Sequence, residues 1–184
     1  MRVVIGITGA SGAVYGVALV KSLIAAGVDV DVVVSDMGRK VLEYECGVSP
    51  EELGASRLYS NDDLFGDISS GSVHIDAVAL APCSMSTCAQ VASGSAETLL
   101  TRVAAVALKE RRPLVILARE MPMSTISLEN LVRLSRAGAC VMPASPGFYS
   151  RPKEVWELVS QVVVRVMDQM GVRAENPQRW RGDD

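Results

Sequence analysis

Residues 3–16 read VVIGITGASGAVYG, and this stretch decides the class of fold. Its first five residues are mostly β-branched and apolar, which predicts a short buried strand. A glycine-rich turn follows, and apolar side chains then recur at helical spacing over residues 13–26 until Gly27 ends the helix. A buried strand that runs through a tight turn into a helix is the opening unit of a parallel α/β fold.

The same alternation continues along the chain. Apolar runs and helical spacing predict strands at 28–34, 77–81, 114–118 and 140–142, and helices at 37–45, 85–92, 97–111, 128–136 and 153–170. Residues 49–52 predict a capped short helix, and the rest of 47–72 is predicted to be loop. We therefore predict a doubly wound, three-layer α/β fold, Rossmann-like or flavodoxin-like, with a parallel sheet. Residues 1–170 form a single domain in this prediction, and 171–184 form a polar C-terminal tail.

Composition restricts the classes of function. The chain has 184 residues, 49% of them hydrophobic, and a net charge of −3, which argues against nucleic acid as a main partner. It has no signal-peptide pattern and no apolar stretch of membrane-spanning length, so we expect a cytoplasmic protein. The four cysteines form no C-x-x-C pair, and one histidine cannot complete a zinc site with them. We expect buried free thiols, no metal, and a solvated His74.

Polar residues follow the predicted strands at the sheet edge where ligands bind in such folds. The turn at 8–13 combines glycines with the hydroxyls of Thr8 and Ser11 ahead of a helix N-terminus, which favours phosphate binding over a plain tight turn. It matches neither the dinucleotide fingerprint nor the Walker A loop. Ser35 follows the second strand where a dinucleotide enzyme places an acidic residue, and a hydroxyl there is compatible with a flavin mononucleotide.

The third and fourth strands end in similar polar groups. The third is followed by Ser84, Ser86 and Thr87, more hydroxyls than one helix cap requires, and such a set suits a phosphate or the carbonyls of a ring. The fourth ends in Arg119 and Glu120, a charge pair that is either a rim salt bridge or part of a ligand site. Its position at this edge favours the ligand role.

Three further features carry charge or an aromatic ring. Tyr149 lies in the loop after the fifth predicted strand. Arg165 stands in an otherwise apolar helical run, so its charge needs a partner or an anion. Residues 109–112 form a basic cluster that is typical of a solvated helix C-terminus.

Several blocks taken together resemble a known family. They are ITGASGA at 7–13, APCSM at 81–85, LKERR at 108–112, RE at 119–120, LEN at 128–130 and PGFY at 146–149. In order and spacing, over nearly the whole chain, they are similar to the flavin prenyltransferases of the UbiX/Pad type. The resemblance implies transfer of a dimethylallyl group from dimethylallyl phosphate to N5 and C6 of reduced FMN, without a metal. It also implies that the prenylated FMN serves UbiD-type decarboxylases.

The resemblance further implies roles for individual residues. The set that would hold FMN is Gly9, Ala10, Ser11, Ser35, Ser84, Met85, Ser86, Thr87, Arg119 and Arg102. The donor phosphate would contact Lys109, Tyr149 and Arg165. Glu120 would transfer a proton, and the resemblance makes Lys109, Tyr149 and Ser11 catalytic as well. Trp180 in the tail would close the active site of a neighbouring subunit in a homo-oligomer, a dodecamer by the same resemblance.

The chemistry of these side chains fits such a reaction. Lys109 and Arg165 can neutralise the charge that grows on a leaving phosphate. Tyr149 and Trp180 can offer π faces to an allylic cation. A carboxylate near a flavin and a phosphate is expected to have a raised pKa, which suits Glu120 as the proton donor.

Two alternatives are open at this point. Flavin-dependent cysteine decarboxylases share the architecture, but they carry Pro-x-Met-Asn where residues 121–124 read MPMS. A non-catalytic carrier of FMN or prenylated FMN, or an accessory subunit of an aromatic acid decarboxylase, would need only the FMN loops. The joint presence of the four residues for donor and proton favours the enzyme, namely Lys109, Glu120, Tyr149 and Arg165.

Three positions depart from the usual family pattern. They are Thr98, Ala105 and Ser127, and they leave room for altered assembly or donor preference. A monophosphate and a diphosphate donor are both compatible with the sequence.

Overall fold

The computed structural model describes residues 1–173 and contains one sheet of six parallel strands. The strands are β1 (Arg2–Ile7), β2 (Asp29–Val34), β3 (Arg57–Ser60), β4 (Ala77–Cys83), β5 (Leu114–Ala118) and β6 (Cys140–Pro143). They lie in the order β3-β2-β1-β4-β5-β6, and each neighbouring pair is parallel. The predicted α/β fold with a parallel sheet is confirmed.

Helices cover both faces of this sheet. They are α1 (Ala13–Ala25), α2 (Asp36–Cys46), α3 (Met85–Ser93), α4 (Leu99–Lys109), α5 (Thr125–Arg136) and α6 (Val155–Gln169), with short 3₁₀ helices at Pro50–Leu53 and Asp67–Ser69. α1, α2 and α6 pack on one face, and α3, α4 and α5 on the other. The result is three layers, as predicted.

The alternation of side chains in β1 explains why its sequence is apolar throughout. Val3, Ile5 and Ile7 pack under α1 and α6, whereas Val4 points to the opposite face. All four are almost completely buried. A strand that is covered on both faces has no position left for a polar side chain.

The structure adds one strand, β3, in the segment that was predicted to be loop. Its sequence, Arg-Leu-Tyr-Ser, has no apolar run because β3 is an edge strand that pairs only with β2. Its polar side chains join a charged network in which the Tyr59 hydroxyl donates to Asp67 at 2.6 Å and Arg2 contacts the buried Asp31 at 2.7 Å. With β3 included, the strand order is the one described for Rossmann folds.

Helix caps fix several boundaries that differ from the prediction. α5 begins at Thr125, three residues before the predicted start, because the Ser124 hydroxyl accepts from the Ser127 N–H at 3.1 Å. α4 begins at Leu99 because Thr98 caps it in the same way. The capping box at 49–52 is confirmed.

The structure also bears on the predictions about the cysteines, His74 and membrane spans. Cys83 and Cys88 are buried free thiols as expected, but Cys46 and Cys140 are only partly buried. His74 is exposed and pairs with Asp76 at 3.1 Å. Over residues 1–173 no helix combines the length and apolar character that crossing a membrane requires. The cytoplasmic location stays a prediction.

Candidate functional site

A cavity of about 440 Å³ opens at the carboxyl edge of the sheet, next to the point between β1 and β4 where the strand order reverses. We call it the switch-point cavity. Its lining consists of Gly9, Ser35, Asp36, Met37, Asn61, Ser84, Ser86, Thr87, Gln90, Thr98 and Leu100. Most of these are uncharged polar residues, and Asp36 is the charged one. Five of the predicted FMN-binding residues lie here: Gly9, Ser35, Ser84, Ser86 and Thr87.

Three helix N-termini converge on the switch-point cavity. Ser35, Ser84 and Thr98 are the N-cap residues of α2, α3 and α4, and all three line it. Each hydroxyl accepts a hydrogen bond from the backbone N–H of the third residue of its helix, at 3.0 to 3.3 Å. Helix N-termini carry partial positive charge and unpaired N–H donors. Asn61 takes the first two N–H groups of α4, so the arrangement suits an anionic group such as a phosphate at the starts of α2 and α3.

Thr8 braces the ends of β1 and β4 against each other. Its hydroxyl donates to the Pro82 carbonyl at 2.9 Å and accepts from the Ser84 N–H at 2.8 Å. Thr8 is buried, so the expectation that its hydroxyl faces a ligand is wrong. Its function in the structure is to fix the position of Ser84 relative to the first turn.

Gly9 lets two elements approach closely at the cavity wall. A Cβ atom at this position would lie 2.6 Å from the Cβ of Met37, the second residue of α2. That distance is shorter than any normal carbon contact, so a side chain here would push α2 away from the first turn.

The N-terminus of α1 already holds an anion, the carboxylate of Glu45 from the end of α2. Glu45 accepts from the N–H groups of Gly12 at 2.8 Å and Ala13 at 2.9 Å. Burial works to raise the pKa of this carboxyl. Hydrogen bonds from Ser11, Ala13 and Gly12 and the charge of Arg119 outweigh burial, and the pKa is lowered. The expectation of free N–H groups for a phosphate at this helix is therefore wrong: the chain's own carboxylate takes them.

Arg119 contacts the same turn from the end of β5. Its Nε donates to the Ser11 carbonyl at 2.9 Å. Glu120, which follows it, is exposed, and its carboxylate accepts from the Met121 N–H at 3.1 Å. Both lie at the carboxyl edge of the sheet but outside the lining of the switch-point cavity, as do Ala10 and Met85. Their roles stay predictions.

A second cavity of about 230 Å³ lies beside the end of β6, and we call it the α6 cavity. It is lined by Met142, Pro143, Ser145, Pro146, Gly147, Tyr149, Gln161, Val162, Val164 and Arg165. Tyr149 and Arg165, two of the three predicted phosphate ligands, therefore share it. Arg165 also contacts Asp168, one turn further along α6, at 3.0 Å.

The third predicted phosphate ligand, Lys109, lies elsewhere. It is the last residue of α4, and Leu100 at the start of that helix lines the switch-point cavity. Nine residues of helix separate the two, which is about 14 Å. Lys109 is exposed and contacts Glu110 at 3.2 Å. Within one chain it does not meet Tyr149 and Arg165.

Arg102 and Trp180 are the remaining predicted site residues. Arg102 lies on α4, where its Nε donates to the Ser69 carbonyl at 3.0 Å, and it lines neither cavity. Trp180 lies outside the described residues. In the part of the chain from 1 to 173, no three His, Cys, Asp or Glu side chains cluster as metal ligands would.

Sequence reasoning missed three polar residues of the switch-point cavity. Asn61 follows β3, and its carbonyl and side-chain oxygens accept from the N–H groups of Leu99 at 2.8 Å and Leu100 at 3.0 Å. Thr98 is the cap of the same helix. Gln90 lies one helical turn beyond Ser86, so the spacing on α3 was a signal that could have identified it.

Comparison with known proteins identifies the family. Residues 1–167 match the family described as Flavoprotein. Flavin prenyltransferase UbiX of Thermoplasma acidophilum is 46% identical over 182 residues, which is 98% of this chain and 100% of the relative. Flavin prenyltransferase UbiX of Methanothermobacter thermautotrophicus is 40% identical over 185 residues, 99% of this chain and 96% of the relative.

Two solved structures share the architecture. A crystal structure of AnUbiX (PadA1) in complex with FMN and dimethylallyl pyrophosphate has a TM-score of 0.95 at 35% identity, covering 100% of this chain and 98% of that one. A dodecameric FMN-dependent UbiX-like decarboxylase from Escherichia coli O157:H7 has a TM-score of 0.95 at 40% identity, covering 99% and 100%. These relatives match the chain along its whole length and in its fold. The chain belongs to the Flavoprotein family and, within it, to the UbiX-type flavin prenyltransferases.

Proposed function

We propose that this protein transfers a dimethylallyl group from dimethylallyl phosphate to N5 and C6 of reduced FMN, and that the prenylated FMN serves UbiD-type decarboxylases. The observation that carries the proposal is the convergence of three helix N-termini on the switch-point cavity, with the α6 cavity at the same edge of the sheet. The first suits the phosphate of a mononucleotide, and the second supplies a cation and an aromatic ring.

The switch-point cavity fits FMN in size and polarity. Its volume of about 440 Å³ lies within the usual range for small-molecule sites. The N–H groups at the starts of α2 and α3, beside Ser35 and Ser84, would hold the phosphate, and Ser86, Thr87 and Thr98 add hydroxyls. Asp36 lies at the rim of the same cavity, where its carboxylate can accept from sugar hydroxyls but repels a phosphate. Reduced FMN supplies the nucleophilic N5 and C6 atoms.

The α6 cavity fits the prenyl donor. Arg165 provides fixed positive charge where the charge of a leaving phosphate grows, and it does so without a metal. Apolar side chains such as Val162 and Met142 can pack on the dimethylallyl tail. Tyr149 adds a π face that stabilises positive charge on the allyl group.

Lys109 completes this donor site from a neighbouring copy of the chain. In its own chain it lies at the far end of α4, where it is exposed and pairs with Glu110. A subunit packed against the carboxyl edge could bring this ammonium group beside Tyr149 and Arg165. A dodecameric relative supports such an assembly. Trp180 is proposed to close the site from the same side.

Two carboxylates at the edge of the sheet have separate proposed roles. Glu120 is proposed to give a proton to the leaving phosphate, from its position directly after β5. Ser11 donates a hydrogen bond to Glu45, whose lowered pKa keeps it ionised at neutral pH. Glu45 can therefore orient the Ser11 hydroxyl by accepting its hydrogen bond, and Arg119 fixes the backbone of that turn.

The test is a mass spectrum of the flavin. The purified protein is incubated anaerobically with reduced FMN and dimethylallyl monophosphate. The mass of the released flavin is then measured. A gain of one dimethylallyl unit supports the transferase, and a second run with the diphosphate identifies the donor. Bound but unmodified FMN in both runs would instead favour the carrier.

A further inference from the structure

We propose that Gln161 is a positioning residue for the prenyl donor: it fixes the loop that carries Tyr149 at the distance from Arg165 that a phosphate requires. The inference rests on the proposed function, because it assigns the donor to the α6 cavity. Gln161 does not itself need to touch the phosphate. It acts through the loop of residues 146–150.

Gln161 is a buried polar residue in the middle of α6. It is 6% exposed, between Ser160 and the buried Val162 of α6. A buried amide costs free energy unless its oxygen and its N–H groups are paired. Both ends are paired here, and both partners belong to the Tyr149 loop. The oxygen accepts from the Gly147 N–H at 3.1 Å, and the nitrogen donates to the Ser150 hydroxyl.

The two residues that Gln161 contacts lie on either side of Tyr149 in the sequence. Gly147 precedes it by two residues, and Ser150 follows it directly. The Tyr149 ring also lies against Gly147, since a Cβ at that glycine would be 2.8 Å from Cε1 of the ring. Gln161 thus holds Gly147, against which the Tyr149 ring lies, and Ser150, the residue that follows Tyr149.

The same helix carries the cation. Gln161 and Arg165 are four residues apart on α6, so they lie on one face of the helix, and both line the α6 cavity. A rigid helix therefore connects the guanidinium to the anchor of the loop. The amide of Gln161 therefore holds the loop of residues 146–150 in place as one wall of the α6 cavity.

The experiment compares donor binding in three variants of the full-length, FMN-loaded protein. Gln161→Leu removes both hydrogen bonds at nearly constant volume, Ser150→Ala removes one, and Gln169→Leu is the matched control. Gln169 lies at the end of the same helix, where it accepts from the Cys140 thiol and touches no residue of the loop. Calorimetry gives the affinity for dimethylallyl monophosphate, and steady-state assays give KM and kcat.

We expect Gln161→Leu to weaken donor binding and raise KM about tenfold, since one or two lost hydrogen bonds change an equilibrium by this order. FMN affinity should stay at the wild-type value, which a general loss of structure would not allow, whereas kcat should fall in so far as the Tyr149 ring stabilises charge on the allyl group. Ser150→Ala should lose less, and combining it with Gln161→Leu should add little, because the two act on one contact. Gln169→Leu should behave as wild type.

Each other outcome has a distinct meaning. If Gln161→Leu binds the donor as wild type while Arg165→Met does not, the donor site stands and the positioning role is overturned. If Gln161→Leu fails to fold, unchanged donor affinity in Ser150→Ala overturns the role. If the wild-type protein neither binds dimethylallyl phosphate nor prenylates FMN, the proposed function fails, and the inference fails with it.

Discussion

Glu45 should contribute measurably to the stability of this protein, and the contribution should depend on pH. Its carboxylate accepts two backbone hydrogen bonds at the N-terminus of α1. Glu45→Gln keeps one acceptor oxygen but removes the charge. Hydrogen bonds to a charged group exceed neutral ones by about 1 kcal/mol each, and a charge at a helix N-terminus adds about 0.3 to 1 kcal/mol. Because the side chain is largely exposed, screening reduces the sum.

We therefore expect a loss of about 1 to 2 kcal/mol at pH 7, which lowers the melting temperature of a chain of this length by about 2 to 8 °C. The lowered pKa of Glu45 determines how this loss depends on pH. A carboxyl whose folded pKa is lowered stabilises the protein above its unfolded pKa, about 4.3, and loses that effect as the pH falls through the folded value. The difference between wild type and variant should be full at pH 7 and shrink below about pH 4.

The assay is thermal unfolding followed by circular dichroism between pH 3 and 8, at one protein concentration because assembly stabilises the folded state. Glu43→Gln is the matched control, an exposed carboxylate of the same helix whose removal should change the melting temperature little. The reasoning is refuted if Glu45→Gln has the same melting temperature as wild type at pH 7. It is also refuted if the difference in melting temperature is the same at pH 3.5 as at pH 7.

Three substitutions test the assignments at the carboxyl edge of the sheet. Thr98→Ala should cost about 1 kcal/mol of stability through the lost cap and weaken FMN binding by fluorescence titration, whereas Thr98→Ser should do neither. Gly9→Ala should weaken FMN binding about tenfold, because its new methyl group meets Met37, and wild-type affinity would contradict the close packing seen there. Glu120→Gln should reduce turnover by about 10²- to 10⁴-fold with unchanged FMN affinity, and full activity would exclude its proton-transfer role.

The fold was predictable wherever an element is buried on both faces. β5 was predicted with its observed bounds, 114–118, because five apolar residues stand between Pro113 and Arg119. β3 was not predictable in this way, since an edge strand with one neighbour can carry Arg57 and Tyr59 in contact with solvent and charge. A pattern of hydrophobicity reports burial, and β3 has little of it.

Some residues of the candidate site were predictable from the sequence and others were not. Ser35 and Ser84 were identified because each directly follows a strand, and topology alone brings strand ends together. Asn61 was missed because its strand was missed. Glu45 was missed for another reason: it contacts Ala13 across 32 residues of sequence, and nothing local to either residue records that contact. Its effect was nevertheless large, since it removes α1 from the helix N-termini that a phosphate can use.

The last question that the structure raises is which chain supplies Lys109, and mixed assemblies can answer it. Lys109 and the pair Tyr149–Arg165 belong to different surfaces of one chain. If a neighbour supplies the lysine, a Lys109→Met chain still has an intact α6 cavity, and a Tyr149→Phe chain still has an intact lysine. Co-expression of the two variants should then rebuild complete sites where unlike chains meet.

The control is co-expression of Tyr149→Phe with Arg165→Met. These residues share one cavity within a chain, so every site keeps one lesion and no activity should return. Recovery of prenylated FMN in the first mixture but not in the second would locate the lysine on the neighbouring subunit. No recovery in either mixture, with mixed assemblies demonstrated by mass spectrometry, would exclude the neighbouring subunit as the source of the lysine. Because Lys109 lies exposed at the far end of α4 and lines no cavity with Tyr149 and Arg165 of its own chain, it would then have no part in binding the donor phosphate.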